Sequence, residues 1–493
     1  MIRWSLMVIL LLLPFIPSEA SDTSITKAME ALRQAGLKVA ADPTRPVYHF
    51  LPPAQWMNDI CGAIKYKGWY HVFYQLNPYG DQWANIHWGH TRSRDMVYWE
   101  HLPPALAPLA HEVRCNSGCV TINKARQPMI FYTSVLSDAP REHWAAIGDD
   151  ELLTWKRHAL NPILTLDNHG GPRFGGGWSD CYIFGHAGRT FMVIGVDRFG
   201  DEVAVPLYEA ENSAYTKWSY RGLLFEAPRK KVGNMEVPIF FKLGKKWVLL
   251  YHPGGPMAYC IGDFDAESLR FESKKGGTLV YHQAGKMEGV SCDRGFCAPH
   301  VFFDDDSRCI MYGWISGFKD GRGWNGCMSL PRVLSLDGDG RLLQRPVSEL
   351  EKLREEHIRL EGLTLESAGE VLENVSGDTL EILASFEPKG AKQFGLKVRC
   401  SRDGKSGVVI SSDGKTLDAA GTRAPLQLNE GQKTLTLHVF IDKSVLEVFG
   451  DNGRTCIAKV VYPPEHDIGI ELFALDGKAV VKSIDIWRLK SIW

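Results

Sequence analysis

One pattern of apolar and polar positions recurs along the chain. A polar opening leads into a short apolar strand, then a turn, then a second strand richer in aromatics. Five segments share this layout: NDICGAIKYKGWYHVFYQ from Asn58, NSGCVTINKARQPMIFYTS from Asn116, SDCYIFGHAGRTFMVIG from Ser179, MEVPIFFKLGKKWVLLYH from Met235 and CAPHVFFDDDSRCIMYGW from Cys297. Alternation on both sides of a Gly, Asp or Lys turn predicts a β-hairpin in each. Further strand-like runs follow, such as HWGHTRSRDMVYWEHL and YCIGDFDAESLRFES, which suits four strands per unit. Repetition at about sixty residues then predicts a five-bladed β-propeller.

After Leu336 the pattern changes. LQRPVSELEKLREEHIRLEG reads as a linker with a short helical stretch. From about Leu372, eight short alternating strands separated by turn residues predict a β-sandwich. The expected fold is all-β: a five-bladed β-propeller over 46–345, a linker over 346–371 and a C-terminal β-sandwich over 372–493. Residues 21–45 read as a helix and loop leading in. The opening MIRWSLMVILLLLPFIPSEAS has an early Arg3, an apolar run interrupted by Pro14, and small residues at Ser18 and Ala20. It reads as a signal peptide over 1–20, its apolar run too short to span a bilayer. The expectation is export to periplasm, cell surface or medium, with no membrane attachment after cleavage.

Aligning the five hairpins on their turns puts Asp59, Ser117, Asp180, Glu236 and Ala298 in one phase, at spacings of 58, 63, 56 and 62 residues. The innermost strands of a propeller line its central channel, so these positions are expected to meet near one end of the axis. Three of them are acids. One Asp before a hairpin is an ordinary turn residue. Three carboxylates in one pocket repel each other, and such a gathering marks a ligand site or a reaction centre. Two acids flanking a glycosidic bond are what glycoside hydrolysis requires, one to protonate the leaving oxygen and one to attack or to activate water. A third can stabilise positive charge in the transition state. Near Asp59 lie groups suited to a sugar: Trp56, Asn58, Gln75 and Trp83. Amides bridge vicinal hydroxyls, and indoles cover the apolar face of a sugar ring. Trp69, on a strand, reads as core.

Composition narrows the choice of partner. The 493 residues are 44% hydrophobic and 23% charged, with a net charge of −2 and no long basic run. This is a folded chain of more than one domain, without the footprint of a nucleic-acid binder. Eleven cysteines show no CxxC and no Cys/His spacing for zinc. In an exported protein Cys115 with Cys119, or Cys292 with Cys297, are candidate local disulfides. Small buried hydrophobes are the commoner fate of such residues. No metal and no organic cofactor is expected, and no pattern encodes an oligomeric state.

The stretch HFLPPAQWMNDICGAIKYKGWYHVFYQLNPYGDQWANIHWGH resembles glycoside hydrolase family 32, the invertases, inulinases, levanases and fructosyltransferases. Trp56-Met57-Asn58-Asp59 match the catalytic half of that family's WMNDPNG motif, and RGWNGCMSLPRVLSL and FIDKSVLEVFGDNG resemble later landmarks. The resemblance implies a propeller followed by a sandwich. It gives Asp59 the role of nucleophile and Asp180 that of the stabiliser in an Arg-Asp-Pro motif. Glu236 becomes the acid/base of a Glu-Cys motif, and Asn58, Gln75, Trp83 and Ser117 line a fructose pocket. The implied activity is retaining release of fructose from sucrose or from inulin- or levan-type fructans. Asp442 and Glu447 are assigned structural roles. The chain also departs from the motifs. Ile60 and Cys61 replace Pro and Asn, Ser179 replaces the arginine before Asp180, Cys181 replaces the proline after it, and Val237 replaces the cysteine after Glu236. Two rival readings are a propeller glycosidase of arabinan or xylan type and a carbohydrate-binding protein without catalysis.

Overall fold

The computed structural model describes residues 20–493, apart from 138, 198–199, 283–293, 367–368 and 427–431. The alternating segments form five sheets of four or five strands each. Their first strands are Gln55–Tyr66, Glu112–Ile122, Gly176–His186, Glu236–Leu243 and Phe296–Phe303. Each packs against the next, and the last packs against the first. The result is a β-propeller, with these five strands innermost. The ring is also closed by hydrogen bonds. Trp324–Asn325, after the fifth hairpin, pairs in parallel with Gln55 and Trp56 of the first sheet. Large apolar side chains such as Phe131, Phe191, Phe240 and Tyr312 fill the space between sheets. Burial at about 25 cal/mol per Å² of apolar surface makes this packing the main stabilising term.

Every innermost strand carries the same irregularity. Asn58 and Asp59 together face the single residue Gln75, since Met57 pairs with Leu76 and Ile60 with Tyr74. The same count holds at Asn116–Ser117, Asp180–Cys181, Val237–Pro238 and Ala298–Pro299. These are β-bulges, which bend a strand and re-aim its side chains. In the last three the first bulge residue is left-handed, with φ of 60° at Asp180, 50° at Val237 and 39° at Ala298. A β-branched residue rarely takes that conformation, so Val237 marks local strain. The three acids therefore sit in or beside equivalent bulges and not at a single equivalent position. Asp59 is the second bulge residue, Asp180 the first, and Glu236 the residue just before.

Two six-stranded sheets follow and stack as a β-sandwich. Its core is aliphatic, with Leu396, Ile410, Leu437, Val439, Ile470 and Val481 buried. The segment expected as a linker differs from that reading. Ser348–Leu353 is a 3-10 turn, and Arg354–Glu366 is a strand at the edge of the first sandwich sheet, paired with Lys478–Leu489. Its apolar residues alternate as Ile358 and Leu360, and again as Leu363 and Leu365, but flanking Glu and Arg give it the charge of an exposed helix. An edge strand with one solvated face tolerates that composition.

Residues Ala20–Val39 form a helix. Ala28, Leu32, Ala35 and Val39 make its buried stripe, at the spacing a helix requires. The predicted signal peptide lies otherwise outside the described residues. No described helix is long and apolar enough to cross a membrane. Cys115 and Cys119 are buried free thiols, so that candidate disulfide is absent. Cys61, Cys181, Cys260, Cys309, Cys327, Cys400 and Cys456 are likewise free and buried. Cys292 lies outside the described residues.

Candidate active site

The bulges at one end of the channel bring Asp59, Asp180 and Glu236 to the same cavity, about 360 Å³ in volume. That lies within the range of small-molecule sites. Asn58, Gln75 and Trp83 line it as well. Each acid comes from a different sheet, so the site exists only in the closed ring.

Asp59 is the best held of the three. Ser117 Oγ donates to Asp59 Oδ2 at 2.6 Å and Gln75 Nε2 donates to the same oxygen at 3.3 Å. Asn58 Nδ2 donates to Oδ1 at 3.1 Å. Burial pushes the Asp59 carboxyl above its ordinary value, and Glu236 adds to the rise. The bonds from Ser117 and Asn58 and the nearby His252 ring oppose it. Behind this first layer Gln75 bonds to Ser117 and Asn58, and Trp56 Nε1 donates to Asn58 Oδ1 at 2.7 Å. Ser117 and Trp56 are almost fully buried and do not line the cavity. The structure thus places two expected sugar contacts one layer back, where they fix Asp59 and Asn58. Trp83 does face the cavity, and its Nε1 reaches Gln75 Oε1 at 3.4 Å. Trp69, expected in the core, is half-buried with the Arg92 and Arg94 guanidiniums over its ring.

Asp180 has a different setting. Burial is the largest influence, Asp59 and Glu236 repel its charge, and together they push it up to about 7. Arg141 and the Val237 backbone N–H act the other way. Glu236 sits between two polar partners. Asn234 Nδ2 donates to its Oε1 at 3.2 Å, and the His252 ring lies 3.2 Å from its Oε2 through Nδ1. Arg229 links Asn234 to Asp197, donating to both.

Arg141, Asn234, Arg229 and His252 escaped the sequence reading. His252 was within reach of it. It ends the fourth hairpin and pairs directly with Glu236 across the strands, so hairpin register alone puts it beside the acid. Arg141 had no such signal, because it comes from the neighbouring sheet through a connection without periodicity. The departures Ile60 and Cys61 do not line the cavity. Both are almost fully buried, Ile60 in the main core and Cys61 in a separate apolar cluster, where the Cys61 thiol lies 3.5 Å from Asp59 O and 3.8 Å from Ser117 Oγ, behind the acid.

Comparison with known proteins agrees with this architecture. Residues 49–346 match the glycosyl hydrolases family 32 N-terminal domain, and residues 349–488 match the family 32 C-terminal domain. The levanase of Bacillus subtilis (strain 168) is 31% identical over 502 residues, spanning 91% of this chain and 71% of that protein. A sucrose-6-phosphate hydrolase of Escherichia coli is 28% identical over 468 residues, spanning 90% of this chain and 94% of that protein. The crystal structure of fructan 1-exohydrolase IIa from Cichorium intybus is similar in fold, with a TM-score of 0.80 at 24% identity, over 91% of this chain and 98% of that one. The chain belongs to glycosyl hydrolase family 32 and is a glycoside hydrolase of the β-fructofuranosidase family.

Proposed function

We propose that the protein is an exported hydrolase that releases terminal fructose from β-fructosides such as sucrose, inulin or levan, with retention at the anomeric carbon. The observation that supports this is the convergence of Asp59, Asp180 and Glu236 on one cavity with the Asn58–Gln75–Trp83 group. Asp59 attacks the anomeric carbon of the bound fructosyl unit while Glu236 gives its proton to the departing oxygen. The aglycone leaves, and a fructosyl-enzyme ester remains. Glu236, now a carboxylate, takes a proton from water, whose oxygen displaces Asp59 and releases fructose. Retaining glycosidases follow this double displacement.

The surroundings suit these roles. A nucleophile must be ionised, and the bonds to Asp59 from Ser117 and Asn58 favour its charged form. An acid/base must be oriented while it changes charge, and Asn234 and His252 each hold one oxygen of Glu236. Asp180 carries negative charge to the place where an oxocarbenium ion develops. Trp83 offers an apolar face, and the Asn58 and Gln75 amides offer donors and acceptors for hydroxyls.

The test is incubation of the purified protein with sucrose, inulin and levan, with the product anomer followed by NMR. The reading expects fructose to appear first as the β-anomer. Release of the α-anomer would replace retention by inversion. No fructose from any of the three would overturn the substrate assignment. Export is tested separately, by fractionating cells that express the full chain: mature protein beginning near Ser21 outside the cytoplasm supports it, and an unprocessed cytoplasmic chain sinks it.

A further inference from the structure

The family motif places an arginine directly before the stabilising acid, and this chain has Ser179 there. A cation is nevertheless present. Arg141 lies in the second sheet's territory, immediately before its third strand, Glu142–Gly148. Its side chain crosses to the innermost strand of the third sheet. There Nη1 donates to the Gly177 carbonyl oxygen at 2.9 Å and to Ser179 Oγ. Arg141 lines the cavity together with Ser179 and Asp180. Ser179 Oγ also donates to Gly177 O at 3.1 Å, so guanidinium, hydroxyl and carbonyl form one closed cluster beside the acid.

We propose that Arg141 is the positioning residue for Asp180, doing from a neighbouring sheet what the motif arginine does from position 179. Ser179 is then the docking point for the imported side chain. Its hydroxyl accepts from the guanidinium where an arginine at 179 would compete for the same space. This inference rests on the reading of Asp180 as transition-state stabiliser. Three further observations fit. Among the described ion pairs none engages Arg141, so its charge is not spent on another carboxylate. Its charge is the largest opposing influence on Asp180, against burial and the repulsion of Asp59 and Glu236. Among the described residues, the other charged or titratable groups on this cavity are Arg114, Asp197, Arg229 and His252; of these Arg229 bonds to Asp197 and His252 sits on Glu236.

The experiment compares wild type with Arg141→Gln, Ser179→Arg and the double variant. On the fructoside the wild type cleaves best, Arg141→Gln is expected to lose about 100-fold in kcat, the size seen for removing one preorganised charge partner. KM should change much less. The acid limb of its pH profile should rise by about one unit, because losing a nearby cation favours the protonated acid. Adding Ser179→Arg should restore most of kcat and return the limb, although Ser179→Arg alone brings two guanidiniums together and is expected to harm. A second readout needs no substrate. Arg141→Gln should lower the midpoint of thermal unfolding more at pH 8 than at pH 5, and this difference should vanish in an Asp180→Asn background. Unchanged kcat and pH profile in Arg141→Gln would overturn the proposal. So would an equal loss of stability at both pH values with no rescue by Ser179→Arg, which marks a merely structural contact. If the wild type cleaves no fructoside, the catalytic reading fails, and the Arg141–Asp180 coupling is still decided by the unfolding data.

Discussion

Two clusters of acids in this molecule are built on opposite principles. One holds Asp59, Asp180 and Glu236 at the end of the propeller channel. The other holds Asp442 and Glu447 where the sandwich meets the propeller. In the second cluster every acid is saturated. Asp442 accepts backbone N–H bonds from Val47, Tyr48 and His49, each at 2.8 Å, and the His49 ring at 2.9 Å. Glu447 accepts from Leu330 N at 2.8 Å, from Arg332, and meets His49 Nε2 at 3.1 Å. Burial alone would push Glu447 up, but Arg332 and His49 hold it below the ordinary carboxylate range. Among the described residues, the channel acids outnumber the cations bonded to them, and Asp59 and Asp180 rise. The contrast separates carboxylates saturated with partners from carboxylates left short of them among the described residues. Full neutralisation joins two domains, and incomplete neutralisation leaves a site that a substrate can complete.

The widest gap between the clusters should appear on mutating Asp59. Asp59→Asn removes the proposed nucleophile and is expected to cut fructose release about 10⁴-fold, roughly 5 kcal/mol in the barrier. Its unfolding midpoint should hold or rise, since a buried charge is lost. A variant that kept full activity would end the nucleophile assignment. Glu447→Gln should do the reverse. It leaves Arg332 buried beside a neutral amide, which costs about 3–5 kcal/mol of stability. At temperatures where it is folded, its kcat should match wild type. Loss of kcat with unchanged unfolding would move Glu447 from scaffold to chemistry.

Much of this division was legible in the sequence. Hairpin repetition gave the sheets, because alternation and turns are local signals. Phase put Asp59, Asp180 and Glu236 together, and the motif stretch around Glu447 read as structural. What could not be read was whatever depends on contacts between distant segments. The bulges shift the three acids by one or two positions relative to each other, and nothing in a single strand's alternation announces a bulge. Trp56 and Ser117 look like sugar contacts by type, but the bulged strands turn them inward to hold Asn58 and Asp59. Arg354–Glu366 was misread as a linker because its charges hide a short alternation that only pairing with Lys478–Leu489 makes a strand. Arg141 reaches Ser179, and Arg332 reaches Glu447, across sheets, at sequence separations that no periodicity spans.

A smaller effect separates the clusters by pH. His49 is held at about 9 by its bonds to Asp442 and Glu447, against the burial that would lower it. In the unfolded chain a histidine titrates near 6.5. The folded state therefore keeps a proton that the unfolded state loses. The stability this gives is full below about pH 6.5 and is lost as pH rises through 9. The expected loss over that window is about 2–3 kcal/mol. In unfolding curves, the gap between wild type and His49→Gln should be widest at pH 6 and nearly closed at pH 10. A constant gap across the series would mean that His49 is held by packing and not by charge.

The smallest effect has the opposite origin. Asp180 is pushed up to about 7, whereas an unfolded aspartate titrates near 3.9. Between those values the folded state holds a proton that the unfolded state has released, so ionising Asp180 costs stability as pH rises from 4 towards 7. The cavity is open to water and shares its charge among three acids, so the cost is about 1 kcal/mol, well below what a fully buried, isolated group would show. Asp180→Asn should remove it: the unfolding midpoint should rise by about 2 °C at pH 8 and stay unchanged at pH 4, while fructose release falls. A substitution that stabilises the fold and disables the enzyme is what a functional site under electrostatic strain predicts. No substitution of Asp442 or Glu447 should behave that way, because their charges are already balanced. If Asp180→Asn destabilised the protein equally at both pH values, the channel acids would be neutralised as fully as the interface pair, and the distinction between the two clusters would collapse.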